Sequence, residues 1–126
     1  MQVVDADQSA KMQMRPGVTG EWLAGEDQRA ITISVLRNWV EPFIEIPLHF
    51  HEHEEIVIIE DGDIWVNIDG VRHRSGAGRT VIIPPRIRHA WGTLDGKAQI
   101  LFIWPVLDPF SADKSTYLKG NPPTLG

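Results

Sequence analysis

Residues 49–62 read HFHEHEEIVIIEDG, with His49, His51, His53 and Glu55 at alternate positions. Alternate residues of a strand share a face, so His49 and His51 can point together at one metal ion. Glu55 cannot join them along a straight strand, where a rise of roughly 3.3 Å per residue puts it about 13 Å beyond His51. A tight reversal through Glu52, His53 and Glu54 brings it back beside them. Glu55 then opens the run Ile56-Val57-Ile58-Ile59, whose β-branched content is that of a buried strand. His53 has the parity of a ligand but falls at the tip of the reversal, which predicts a place on the rim. Glu52 and Glu54 read as solvated turn residues, close enough to orient a ligand histidine.

A second stretch, residues 78–89, reads GRTVIIPPRIRH: a glycine, an apolar strand, two prolines that stop it, and His89. The order His49-x-His51, three residues, Glu55, six residues, Gly62 resembles the first motif of the cupin superfamily. Gly78, five residues, Pro84 and then His89 resembles the second. The motifs span residues 49–89, and the flanking strands extend the resemblance over about residues 20–106. In that family the two motifs together hold one metal inside a β-barrel, which implies His49, His51, Glu55 and His89 as ligands here. Three positions depart from the motifs: Phe43 and Arg86 stand where glycine is usual, and Thr93 where asparagine is usual. None of the three is a ligand.

With 126 residues and a formal net charge of −5, the chain has the length of one domain. Folding at that size buries roughly two thirds of the unfolded surface, enough for a core without disulfides. There is no cysteine, hence no disulfide, thiolate ligand or cysteine nucleophile. Acids and bases are interspersed, and the basic stripe expected of a nucleic-acid binder is missing. The densest basic stretch, Arg72–Arg79 with Arg86 and Arg88, alternates with other residues like a solvated strand face. No segment approaches the roughly 20 apolar residues of a membrane span, and residues 1–16 lack the apolar core of a secretory signal. A cytoplasmic protein is expected.

Short strands separated by turn signals, without a helical period, indicate an all-β sandwich or barrel. Strands are predicted at Glu21–Ala24, Ile31–Leu36, Ile64–Ile68, Val71–Arg74, Thr80–Ile83, Ala90–Leu94 and Gln99–Trp104, besides the two motif strands. Asp69-Gly70 and Asp95-Gly96 are hairpin turns. The cupin resemblance sharpens this to a jelly-roll barrel, the double-stranded β-helix. The expected organisation is an N-terminal arm over residues 1–19, a barrel over 20–106, and a tail over 107–126 packing on the barrel. Pro105, Pro109, Pro122 and Pro123 make that tail an extended wrap rather than a helix or central strand. Free sheet edges and the apolar residues Val3, Val4, Met12, Met14 and Trp22 near the N-terminus predict a homodimer whose arm covers an edge.

Three imidazoles and one carboxylate suit one divalent transition metal per chain, with Fe, Mn, Ni, Cu, Co and Zn all compatible. A six-coordinate ion keeps two positions open, whereas tetrahedral zinc is closed by four protein ligands. Trp91, two residues after His89, shares its face, and Phe102 and Trp104 share a parity on the last strand. This aromatic wall predicts contact with a small apolar or aromatic substrate. Arg86, near the second motif, is a candidate carboxylate anchor. Trp22 and Trp39 read as core, and His73 as exposed. The resemblance implies a metal-dependent enzyme and leans towards an Fe(II)-type dioxygenase. The alternatives are an isomerase or lyase using the ion as a Lewis acid, with Glu45 or His53 as base, and a non-enzymatic ligand-binding or sensor barrel.

Overall fold

Alternation of buried and half-buried residues builds the strands of the computed structural model, which describes residues 1–125, the side chain of Asp7 excepted. In chain order they are β1 (Lys11–Arg15), β2 (Val18–Ala24), β3 (Ser34–Val40), β4 (Glu45–His51), β5 (Glu55–Asp61) and β6 (Asp63–Ile68). They continue with β7 (Val71–Gly76), β8 (Thr80–Ile83), β9 (His89–Thr93), β10 (Ala98–Trp104) and β11 (Ser115–Tyr117), and a single 3-10 turn covers Ala6–Gln8. The strands form a six-stranded sheet, β1-β2-β3-β10-β5-β8, and a five-stranded sheet, β11-β4-β9-β6-β7. The inward residues of both, among them Leu36, Val57, Ile59, Ile64, Ile100 and Trp104, interdigitate into one apolar core.

The expected closed barrel is not formed. Each sheet ends in unpaired edges, β1 and β8 in one and β11 and β7 in the other, and no described strand pairs across the layers. The chain changes layer at turns rather than by carrying a ladder around. Residues 52–54 lead from β4 to β5, and residues 77–79 lead from β7 to β8. The architecture is two facing open sheets.

Both ends of the chain are more ordered into the sheets than their composition indicates. Residues 11–15, which have no clean period, pair with β2 as a hairpin, and Met14 is buried in the chain's own core. Residues 115–117 add β11 to the free edge of β4, pairing Ser115 with His51 and Tyr117 with His49. Near the C-terminus, the Thr124 N–H donates to the Met14 carbonyl at 2.8 Å. The strand expected from Ile31 starts only at Ser34, leaving Ile31 and Ile33 exposed.

Two departures from the cupin motifs have a backbone meaning. Phe43 and Arg86 have φ of 57° and 64°, the left-handed region in which glycine carries no Cβ penalty. Hydrogen bonds hold both: the Phe43 N–H on the Leu94 carbonyl at 2.8 Å, and the Arg86 N–H on the His51 carbonyl at 2.7 Å. Thr93 is buried and ties the loop before β4 to β9. Its hydroxyl donates to the Glu41 carbonyl at 2.6 Å and accepts from the Ile44 N–H at 2.9 Å. Gly62, which closes the first motif, has a φ of 82°, and a Cβ there would meet the Lys97 carbonyl oxygen and lie 2.9 Å from the Ala98 Cα.

Candidate metal centre

A register shift in β4 aims the first two ligands. Ile46 pairs with Trp91 and His49 with His89, so the ladder slips across Pro47 and Leu48. Proline cannot donate to a ladder, and a bulge at this point changes the parity of the residues after it. Ile46, His49 and His51 consequently all face inward. His89 opens β9 directly opposite His49, their ring centroids 4.2 Å apart. The reversal over residues 52–54 then puts Glu55 at the start of β5, so its carboxylate enters from the facing sheet. The predicted turn is thus present, and one ligand atom from each of His49, His51, Glu55 and His89 lies within 4.8 Å of the others.

The hydrogen bonds around the cluster decide which nitrogens face it. His49 Nδ1 is 2.7 Å from the Pro47 carbonyl and His89 Nδ1 is 2.8 Å from the Ile87 carbonyl. A carbonyl only accepts, so both rings carry their proton on Nδ1. His51 Nδ1 is 2.6 Å from the Ser115 hydroxyl, which donates its own hydrogen to the Pro109 carbonyl. The hydroxyl must therefore accept from His51. All three Nε2 lone pairs are left for a shared partner, the orientation second-sphere hydrogen bonds impose on metal-ligating histidines.

The innermost atoms lack such a partner among the described residues. His51 Nε2, His89 Nε2 and Glu55 Oε2 are buried without a hydrogen bond. Glu55 Oε2 lies 3.3 Å from His51 Nε2 and 2.9 Å from His89 Nε2, close but outside hydrogen-bond geometry. Buried polar atoms of this kind require compensation. A divalent ion provides it, and neutral imidazoles with one carboxylate are a suitable donor set. The four residues fit one such ion per chain.

Electrostatics agree. Burial, with the charge of His89 next in size, pushes His49 down to about 3, so its ring is neutral at physiological pH. Burial works against the Glu55 carboxylate, but the charge of His51 and contacts with His51 and His89 outweigh it and hold the group well below its ordinary range. For His89 burial is again the largest influence and lowers the pKa. The contact and charge of Glu55, together with the Ile87 carbonyl, overcome it and leave the pKa raised.

The cluster borders a small cavity of about 30 Å³. Trp91, Phe102 and Trp104 all line it; the Trp91 and Phe102 rings are 5.5 Å apart, and those of Phe102 and Trp104 stack at 5.5 Å and 3°. Arg86 is not among the lining residues. It is exposed, its Nη1 donating to both carboxylate oxygens of Glu52, and it lies 5.1 Å from the Phe50 ring. His53 is stacked beside His51 at 5.3 Å, with Nδ1 on the Glu54 carbonyl, outside the ligand cluster. Glu45 and His73 are exposed. Three residues that sequence reasoning did not select contribute here. Ser115 orients His51, Tyr117 stacks on His49 at 4.7 Å and 13°, and Arg15 lines the cavity. The alternation Ser115-Thr116-Tyr117 was the one signal for the first two, and three residues between prolines do not announce a strand.

Solved structures resemble this fold at low identity. Oxalate decarboxylase from Bacillus subtilis matches with a TM-score of 0.79 and 16% identity over 94% of this chain, which spans only 32% of that protein. KdgF from Halomonas sp. matches at 0.73 and 17%, over 83% of this chain and 94% of that one. The polyketide cyclase RemF from Streptomyces resistomycificus matches at 0.77 and 18%, over 96% and 87%. Decarboxylase and cyclase are the activities that two of those names carry and no name is that of a dioxygenase, so the expectation of oxidoreductase, dioxygenase-type chemistry is not borne out. No curated protein matches the sequence. No helix among the described residues is long and apolar enough to cross a membrane. The cupin domain model matches residues 40–105, which contain all four ligands, and the chain belongs to the cupin family.

Proposed function

We propose that the protein is a metal-dependent enzyme that acts on a small molecule by lyase or isomerase chemistry. The observation that carries this reading is the juxtaposition of four convergent ligand atoms, three of them buried without a hydrogen-bond partner, with an apolar cavity. An ion bound there supplies Lewis-acid polarisation of a substrate oxygen. The chain's own residues do the rest. Trp91, Phe102 and Trp104 receive the apolar body of the substrate and keep water from it. Tyr117 brings a hydroxyl to the same cavity, and burial raises its pKa, so that Oη stays protonated and can donate to a substrate oxygen. The decarboxylase and cyclase among the similar folds support non-redox chemistry over oxygen insertion.

The test is turnover by protein reconstituted with Mn, Fe, Co, Ni or Zn over a panel of small carboxylates, keto acids and enolisable carbonyl compounds. Product is followed by NMR and oxygen by electrode. The expected result is conversion without oxygen consumption, abolished in His89→Ala. Oxygen uptake coupled to product contradicts the non-redox assignment, and tight binding without turnover assigns the protein to the ligand-binding class instead. A homodimer is the assembly we expect, because the β1 edge is free and Val3, Ile31 and Ile33 are exposed.

A further inference from the structure

We infer that Arg15 anchors a carboxylate of the ligand, making the preferred ligand of this cavity a small organic anion with an apolar body. The inference rests on the cavity being the substrate site and adds the substrate class.

Arg15 is the last residue of β1 and lines the cavity together with His49 and Tyr117. Half of the chain's lysines and arginines are matched to carboxylates, among them Lys11 to Glu21, Arg37 to Glu60, Arg74 to Asp63 and Arg86 to Glu52; of the rest, Arg15 is the one that lines this cavity. Arg15 has no ion pair among those of the described residues. Its guanidinium is in contact with the Tyr117 hydroxyl and donates to the Asn121 carbonyl at 3.3 Å. A guanidinium offers five N–H donors in a planar fork, so these contacts leave donors over.

The lining also holds a buried donor without a partner. The Asn38 amide group is engaged by Met14 Sδ and the Arg37 carbonyl, and the buried Trp104 indole N–H has no acceptor. Among the described lining residues, Glu55 is the only carboxylate, and its oxygen belongs to the ligand cluster. A divalent ion on three neutral imidazoles and one carboxylate leaves the site net positive before Arg15 is counted. Apolar walls strengthen every charge interaction inside them. A planar carboxylate matches the guanidinium fork and the sign of the charge; a neutral or cationic ligand matches neither.

The alternative role for Arg15 is a clamp on residues 121–124, whose Thr124 N–H bonds the Met14 carbonyl and whose Pro123 lines the cavity. Binding separates the two. Benzoate and its neutral isostere benzamide are titrated into the full-length protein, metal-free and zinc-loaded, with tryptophan fluorescence as readout and zinc content measured in parallel. The expected result is benzoate tighter than benzamide by about tenfold or more in both states. Arg15→Lys should retain part of that preference. Arg15→Gln, which keeps a donor for Asn121, and Arg15→Met should lose it with zinc content unchanged. A preference within twofold of native in Arg15→Gln or Arg15→Met overturns the proposal, whatever happens to the melting temperature. So does failure of benzoate to bind the native protein at millimolar concentration. Loss of turnover with the preference intact would instead count against the catalytic reading alone.

Discussion

Replacing Ser115 by alanine tests the arrangement behind the metal site without touching a ligand. The Ser115 side chain is buried between His51 Nδ1, 2.6 Å away, and the Pro109 carbonyl. Its hydroxyl makes Nδ1 the protonated nitrogen and so leaves Nε2 for the ion. Ser115→Ala removes both hydrogen bonds and strands two buried polar groups at about 1–3 kcal/mol each. Stability should fall by that order, and the His51 ring loses its fixed tautomer and orientation. Removal of a hydrogen-bond partner behind a ligating histidine typically costs about 10–100-fold in metal affinity. We expect that loss for zinc, measured at pH 7 by competition with a chromophoric chelator, while circular dichroism still reports the native β signal. Ser115→Thr, which keeps the hydroxyl, should recover most of the affinity. A Ser115→Ala protein that is folded and binds zinc within twofold of native would refute the assigned tautomer chain.

Three further outcomes are expected from the same geometry. Phe43→Gly relieves a φ of 57° and should raise stability by up to about 1 kcal/mol in urea unfolding, against an ordinary cost for deleting a phenylalanine; a loss would mean the exposed ring packs on something. His53→Ala should leave zinc affinity within a fewfold of native, because His53 lies outside the cluster, and an equal loss to that of a ligand variant would contradict the placement. In the metal-free protein His49 is lowered to about 3. Its neutral burial contributes stability that is complete above pH 6.5 and is lost as pH falls from 6.5 towards 3. The raised His89 acts in the opposite sense above pH 6.5, and the depressed Glu55 acts below its ordinary range. Between pH 6.5 and 5 the apo protein should therefore lose roughly 1.5 kcal/mol, and a flat or rising profile in denaturant titrations would contradict this.

The ligand set could be read before the fold because its signal is local. Alternating histidines, a short reversal and a β-branched run place Glu55 within a few residues of its partners, and His89 comes shortly after a proline stop. Closure of the sheets carries no such signal. Whether β1 and β8 find neighbours depends on pairings far apart in sequence, and the alternation is the same in an open sandwich and a barrel. The two ends were harder to read for different reasons. Lys11–Arg15 exposes alternate polar residues at an edge and so shows only Met14 as core. Ser115–Tyr117 is three residues long, yet its register on β4 supplies the hydrogen bond to His51 and the ring against His49. Phe43 and Arg86, which looked like losses of motif glycines, keep the left-handed backbone without glycine. A residue name was a poor guide there, while the conformation was retained.

The most direct test of the central claim is the metal itself. Protein purified without a histidine tag is saturated with zinc or manganese, freed of excess ion, and analysed by elemental mass spectrometry and X-ray absorption. One ion per chain is predicted, bound by three imidazole nitrogens and a carboxylate oxygen, and lost in His51→Ala and His89→Ala. A native protein that retains no ion, or one whose ion persists in both variants, would contradict the account.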